Sequence, residues 1–132
     1  MDSEQKIIQP NILLHMADMF FHLVHLTIVT FFLFGWLWSR TLMAHFVLSI
    51  LILVSWCGLG IIYGFGYCLV TDIQWRIKRR MGEVPYTEYY MKYMLDKVTG
   101  RDLNAHKLNS ITTYAFFIIL LLSTALVLRR ML

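Results

Sequence analysis

The chain has 132 residues, of which 58% are hydrophobic and 15% charged, and its formal net charge is +4. It is too short for two soluble domains and too apolar for one, so its composition is that of a membrane protein. Eight of the twelve Lys and Arg residues lie in one hydrophilic stretch, residues 76–107. No nucleic-acid-binding motif accompanies this charge, and we therefore expect no nucleic acid partner.

Three runs without Asp, Glu, Lys or Arg divide the chain, at residues 19–38, 41–71 and 111–128. A helix needs about 20 predominantly apolar residues to cross the hydrocarbon core of a bilayer. The runs therefore predict an all-α integral membrane bundle, one membrane domain over residues 1–132. Its three transmembrane helices are expected at about 12–38, 41–70 and 110–129.

The first predicted helix carries a polar stripe made of His15, Asp18, His22 and His25. Their spacing of three or four residues places all four within an arc of about 80° on one helix face. Polar groups in hydrocarbon are costly unless they are satisfied, so we expect the stripe to face protein. The short Ser39-Arg40 connection makes the second helix the expected neighbour, with its glycine-rich half opposite Asp18.

The second predicted helix is too long for one straight crossing and contains four closely spaced glycines, Gly58, Gly60, Gly64 and Gly66. Glycines at this density predict a kink or unwinding, which leaves room for a fourth, re-entrant element. His45 lies near the other end of this helix. It is roughly 13 Å from the level of His25 at 1.5 Å per residue, so the two cannot jointly bind one haem iron within this chain.

Residues 72–109 are predicted to form amphipathic helices on the membrane surface. In the first of them, Ile73, Ile77 and Met81 recur every four residues, opposite a basic face that is expected to contact anionic lipid headgroups. That face consists of Arg76, Lys78, Arg79 and Arg80. A tyrosine cluster follows and is expected at the interface: Tyr86, Tyr89, Tyr90 and Tyr93. The positive-inside rule places the whole segment on the cytoplasmic side.

Three hypotheses explain the polar stripe. In the first, His15, Asp18, His22 and His25 bind a transition metal, because imidazoles and a carboxylate at helical spacing can converge on zinc, iron or copper. In the second, these groups relay protons or polarise a bound ligand, such as a quinone or a lipid headgroup. In the third, the histidines are neutral and hydrogen-bonded in a bundle or at a partner interface, and a basic side chain satisfies Asp18.

Several of these residues also match a known pattern: Ala17-Asp18, His25, Gly35, Arg40, His45 and Cys68-Leu-Val-Thr71. Over residues 15–95 the chain resembles an uncharacterised bacterial family of small membrane proteins. That family has an Ala-Asp segment followed by a histidine, a second-helix histidine and a Cys-Pro-Leu-Thr signature. Leu69 stands in place of the proline, and Gln74 in place of the usual acidic residue.

The resemblance implies a bacterial inner membrane location and a shared constellation of Asp18, His25, His45, Cys68 and Thr71, with His15 and His22 particular to this chain. It implies no settled activity. We expect a membrane subunit or binding module in which these residues hold a ligand, metal or proton. The alternative is a redox enzyme, or a metal- or haem-dependent one, using the same cluster. The expected partners are membrane lipid and other membrane protein subunits or a second copy of the chain.

Overall fold

A computed structural model describes residues 12–132, which contain helices and no β-strand. Three helical spans are long and apolar enough to cross a membrane: Ile12–Leu37, Leu42–Tyr63 and Ala105–Met131. Their surfaces carry most of the exposed large apolar side chains, as expected of helices surrounded by acyl chains. These features confirm the predicted all-α membrane class with three spans.

The first span consists of helix α1, Ile12–Phe34, and a 3₁₀ turn, Gly35–Leu37. The last carbonyls of a helix lack partners within it, and side chains supply them here. The Trp36 indole N–H donates to the Leu33 carbonyl over 2.8 Å, and the Thr41 hydroxyl donates to the Gly35 carbonyl over 2.6 Å. These bonds define the tight connection into the second span.

The second span is not a uniform helix. It begins as α2, Leu42–Leu53, continues as a π-helical segment, Val54–Leu59, and ends as a short helix α3, Gly60–Tyr63. A π-helical turn holds an extra residue and bends the helix locally. The irregularity predicted from the glycines is present, and it begins four residues before the first of them.

The chain folds back on itself after Tyr63, seven residues before the predicted end of the second helix. Gly64 and Gly66 adopt φ values of 106° and 88°, which favour glycine because it has no Cβ. The Gly66 N–H then donates to the Trp56 carbonyl over 3.4 Å, and the Ser55 hydroxyl donates to the Tyr67 carbonyl over 3.0 Å. Residues 64–68 therefore run back along the π-helical segment.

Helix α4, Leu69–Arg80, starts at this fold-back. It is followed by α5, Tyr90–Thr99, which ends at Gly100 in the left-handed region. The third span, α6, spans Ala105–Met131, and the Asn104 side chain caps it by accepting from the Lys107 N–H over 3.0 Å. The helix thus begins five residues before the predicted start at residue 110.

The packing of α4 differs from the sequence-based expectation. It packs along α1, more extensively than the second span does. Its buried face is Thr71, Gln74, Trp75 and Lys78, spaced by three or four residues. The polar side of α4 is therefore the protein-facing side, and only the arginines of its predicted headgroup face remain exposed.

Candidate functional site

The polar stripe of α1 meets α4 at Asp18. One carboxylate oxygen of Asp18 accepts from the Lys78 ammonium over 3.0 Å, and the other accepts from the Gln74 amide over 3.4 Å. The Lys78 side chain is 6% exposed and that of Asp18 is 19% exposed, so this ion pair is largely shielded from solvent. The expected contact of Asp18 with the glycine-rich half of the second span is wrong.

Lys78 is held by the protein and does not reach lipid headgroups, which corrects its predicted role. Its ammonium lies 5.1 Å from the centre of the Tyr93 ring and 3.6 Å from a Glu83 carboxylate oxygen. Burial lowers the pKa of Lys78, but its interactions with Tyr93 and Asp18 outweigh burial and raise the pKa above its ordinary value. Lys78 therefore stays charged and balances Asp18.

Further along α1, Tyr90 of α5 contacts two of the three histidines of the stripe, His22 and His25. Its hydroxyl lies 2.9 Å from His22 Nδ1. Its ring stacks on the His25 ring, with the centroids 3.6 Å apart and the planes 9° apart. Burial raises the pKa of Tyr90 to about 12, so the phenol is neutral and can donate to His22.

A small aromatic core fixes Tyr90 in place. Trp75, Tyr90 and Tyr93 are all buried and pack together. The Trp75 indole N–H donates to the Thr87 carbonyl over 2.8 Å, which ties α4 to the segment that precedes α5. Tyr90 and Tyr93 are therefore buried against protein, whereas Tyr86 and Tyr89 are exposed; the interfacial position of the cluster stays a prediction.

We call the resulting group the polar seam and define it as Asp18, His22 and His25 of α1, Gln74 and Lys78 of α4, and Tyr90 of α5. Asp18 and His25 lie about 9 Å and about 20 Å along α1 from its first residue, at 1.5 Å per residue. The seam thus follows the first span inward from one end. It carries one formal negative and one formal positive charge.

Two buried side-chain atoms of the polar seam have no hydrogen-bond partner within residues 12–132: His25 Nδ1 and Gln74 Oε1. His25 is 7% exposed and Gln74 is 1% exposed. Most buried polar atoms in native proteins are paired, and each exception needs an explanation. The identity of the Gln74 oxygen follows from chemistry, since only the amide nitrogen can donate to the Asp18 carboxylate.

The predicted metal ligands do not converge. Within residues 12–132, no group of three or more His, Cys, Asp or Glu side chains is arranged to hold a metal ion. His15 is exposed, and His22 and Asp18 are engaged by Tyr90 and by Lys78. The donor set is thus an ion pair and a stacked imidazole, which does not fit a transition metal.

His45 lies apart from the polar seam and joins the three spans. Its Nε2 lies 2.7 Å from the Phe32 carbonyl oxygen, and its Nδ1 lies 3.0 Å from the Ser123 hydroxyl. The carbonyl only accepts, so Nε2 carries the hydrogen and Nδ1 accepts from the serine. His45 and Ser123 are fully buried. Both ring nitrogens are therefore used in packing, and neither is available to a haem iron.

The remaining predicted residues stand at the start of α4. Cys68 is the residue before its first turn, half-buried and unpaired as a free thiol, and Thr71 is buried on its protein-facing side. Sequence reasoning did not assign Gln74, Trp75 or Tyr90 to the site. The helical spacing of Thr71, Gln74 and Lys78 was the available signal, but the adjacent isoleucines indicated a different face.

The fold and the polar seam define an integral membrane protein with three helical spans and a buried polar cluster between the first span and a connecting helix. The chain belongs to a family described as "Protein of Unknown function (DUF2784)", whose model matches residues 15–128. This agrees with the resemblance to an uncharacterised family. No curated protein and no solved structure matches the chain.

Proposed function

We propose that this protein is a membrane-embedded binding module whose polar seam holds a small hydrogen-bonding ligand. The observation that carries the proposal is the pair of unpartnered atoms, His25 Nδ1 and Gln74 Oε1, in side chains more than nine-tenths buried. A buried donor or acceptor without a partner costs about 1–3 kcal/mol. A bound ligand that supplies both partners removes that cost.

The surroundings of these atoms favour a preorganised site. The stacking on Tyr90 fixes the His25 ring, and the bond to Asp18 fixes the Gln74 amide. Groups held in this way lose little conformational entropy when a ligand binds. The alternative, a redox enzyme or a metal- or haem-dependent one, has less support, because Asp18 and His45 are already engaged.

The orientation is part of the proposal. We place α4 and α5 on the cytoplasmic side of a bacterial inner membrane, since exposed cations concentrate there. Arg76, Arg79 and Arg80 are exposed on α4 and take the headgroup role that Lys78 does not have. A second copy of the chain or another membrane subunit as partner stays a prediction, which the oligomeric state in mild detergent tests.

Removal of co-purified small molecules tests the proposal. Occupancy at 100 times Kd stabilises a protein by about 2.7 kcal/mol. Two samples of the wild-type protein in lipid nanodiscs are compared: one that keeps its co-purified molecules, and one that has been exhaustively delipidated and returned to a single defined lipid. The first should therefore melt at the higher temperature. His25→Phe keeps a ring against Tyr90 but removes Nδ1, so it should abolish most of this difference.

His106→Phe is the matched control, because His106 is exposed and outside the polar seam. It should retain the full wild-type difference in melting temperature. An equal loss on delipidation in wild type, His25→Phe and His106→Phe would mean that general lipid solvation explains the effect. The proposal would then fail.

A further inference from the structure

The two unpartnered atoms of the polar seam do not require the same partner, and this restricts the chemistry of a ligand. Gln74 Oε1 can only accept, so its partner must carry an N–H or O–H. Its amide nitrogen already donates to Asp18 and holds the amide in this orientation. Neutral His25 Nδ1 can either donate or accept. A carboxylate, a phosphodiester or a quinone carbonyl only accepts and leaves Gln74 unsatisfied.

The charge balance of the polar seam gives the second restriction. Lys78 is its cation, and Asp18 neutralises it at 3.0 Å, with Glu83 at 3.6 Å. No cation of the seam is left to compensate a buried anion, and an uncompensated buried charge is very costly. A ligand ammonium could donate to Gln74, but Lys78 already neutralises Asp18 and Glu83 is 56% exposed, so a buried ammonium would lack a buried counterion in the seam. A neutral donor meets both restrictions.

The location of the polar seam among the helical spans gives the third restriction on the ligand. His25 lies about 20 Å along the first span from its first residue, at 1.5 Å per residue, among helices whose outer surfaces are apolar. A molecule that enters between these helices passes along their apolar surfaces, which favours a lipophilic one.

We infer that the polar seam binds the neutral hydroxyl group of a lipophilic molecule. The hydroxyl donates to Gln74 Oε1, and an oxygen of the same headgroup meets His25 Nδ1. Two sources share this chemistry, a quinol-type phenol and a long-chain alcohol. This inference rests on the proposed function and narrows it.

Four probes of equal alkyl length test the inference: an alkyl quinol under anaerobic reducing conditions, its oxidised quinone, a fatty alcohol and a fatty acid anion. Each is added to delipidated protein in nanodiscs, and the shift in melting temperature gives its apparent Kd. The quinol, the alcohol or both should stabilise the wild type. The quinone and the anion should bind at least tenfold more weakly. Stabilisation by the quinol alone assigns a phenolic headgroup, and stabilisation by both assigns any hydroxyl.

Gln74→Leu removes the acceptor in a side chain of similar size and should weaken binding of the favoured probe at least tenfold. Gln74→Met, with an unbranched chain, repeats the test if the leucine variant does not fold. His106→Phe serves as the control and should bind like wild type. Tight binding of the quinone or the anion, or unchanged binding in both Gln74 variants, would overturn the inference and leave the proposed function standing.

The two claims fail differently. If delipidation destabilises the wild type more than His25→Phe but none of the four probes binds, the hydroxyl inference is wrong and the binding module survives. If delipidation also lowers the melting temperature of the wild type and of His25→Phe by the same amount, the hydroxyl inference and the proposed binding function are both wrong.

Discussion

Lys78→Met removes the cation from the Asp18 carboxylate while keeping an unbranched side chain of similar length. The two charged atoms are 3.0 Å apart, and the side chains are 6% and 19% exposed. Unit charges at this separation attract by about 5.5 kcal/mol at an effective dielectric constant of about 20. Desolvation offsets part of this, and breaking a buried pair costs about 3–5 kcal/mol. We expect a loss of about 3 kcal/mol, because Gln74 still donates to Asp18.

The assay is a double-mutant cycle with Asp18→Asn, measured by equilibrium unfolding in detergent micelles with circular dichroism and Trp fluorescence. The double variant has no uncompensated charge. It should therefore be more stable than Lys78→Met alone, with a coupling free energy of about 2 kcal/mol.

The control is the ion pair between Asp72 and Arg76 on the same helix. Its N–O distance is 3.1 Å, but the arginine side chain is 69% exposed. Such exposed pairs couple by about 0.3–0.5 kcal/mol. A coupling between Asp18 and Lys78 no larger than in this control would mean that the two groups are hydrated and that the pair is not buried.

Three further predictions concern the fold-back, the contact between the spans and the phenol of the polar seam. Gly60→Ala should lower the free energy of unfolding by about 1–2 kcal/mol, because the new Cβ would lie 3.2 Å from the backbone of the fold-back. Gly58→Ala is the control. Its Cβ would lie 3.7 Å from a side-chain carbon, so the free energy of unfolding should change by less than about 0.5 kcal/mol. Ser123→Ala should lower the unfolding free energy by about 1–3 kcal/mol, since it leaves His45 Nδ1 buried without a partner; Ser110→Ala is the control. The pKa of Tyr90 is raised, so the neutral phenol stabilises the fold fully below pH 10, and this contribution is lost as the pH rises through about 12. The stability difference between wild type and Tyr90→Phe should shrink over that interval, and a constant difference would contradict the burial of the phenol.

The three spans were predictable because the property that defines them is local. Each is an uncharged run, and the hydrocarbon thickness sets the minimum length. The boundaries were less predictable. Asn104 caps the third span five residues early, although the polar residues that follow it indicated a surface segment. The position of the fold-back depends on hydrogen bonds between residues ten or more apart, such as Gly66 with Trp56.

The polar stripe of α1 was predictable from its spacing, but its partner was not. Helix α4 offers two candidate faces, one with Ile73 and Ile77 and one with Gln74 and Lys78, and the spacing of each fits a buried helix face. Which face is buried depends on the charge of Asp18, some 60 residues earlier in the chain. A short connection also suggested that the stripe would face the second span. The stripe faces α4 instead, because the fold-back brings α4 against α1.

An experimental density map of the protein in lipid nanodiscs, before delipidation, would show directly whether the polar seam holds a ligand. We expect non-protein density larger than a water molecule within hydrogen-bonding distance of both His25 Nδ1 and Gln74 Oε1, beside an intact Asp18–Lys78 pair. A map in which these atoms contact only protein or a single water, or in which α4 lies away from α1, would rule out the proposed ligand site.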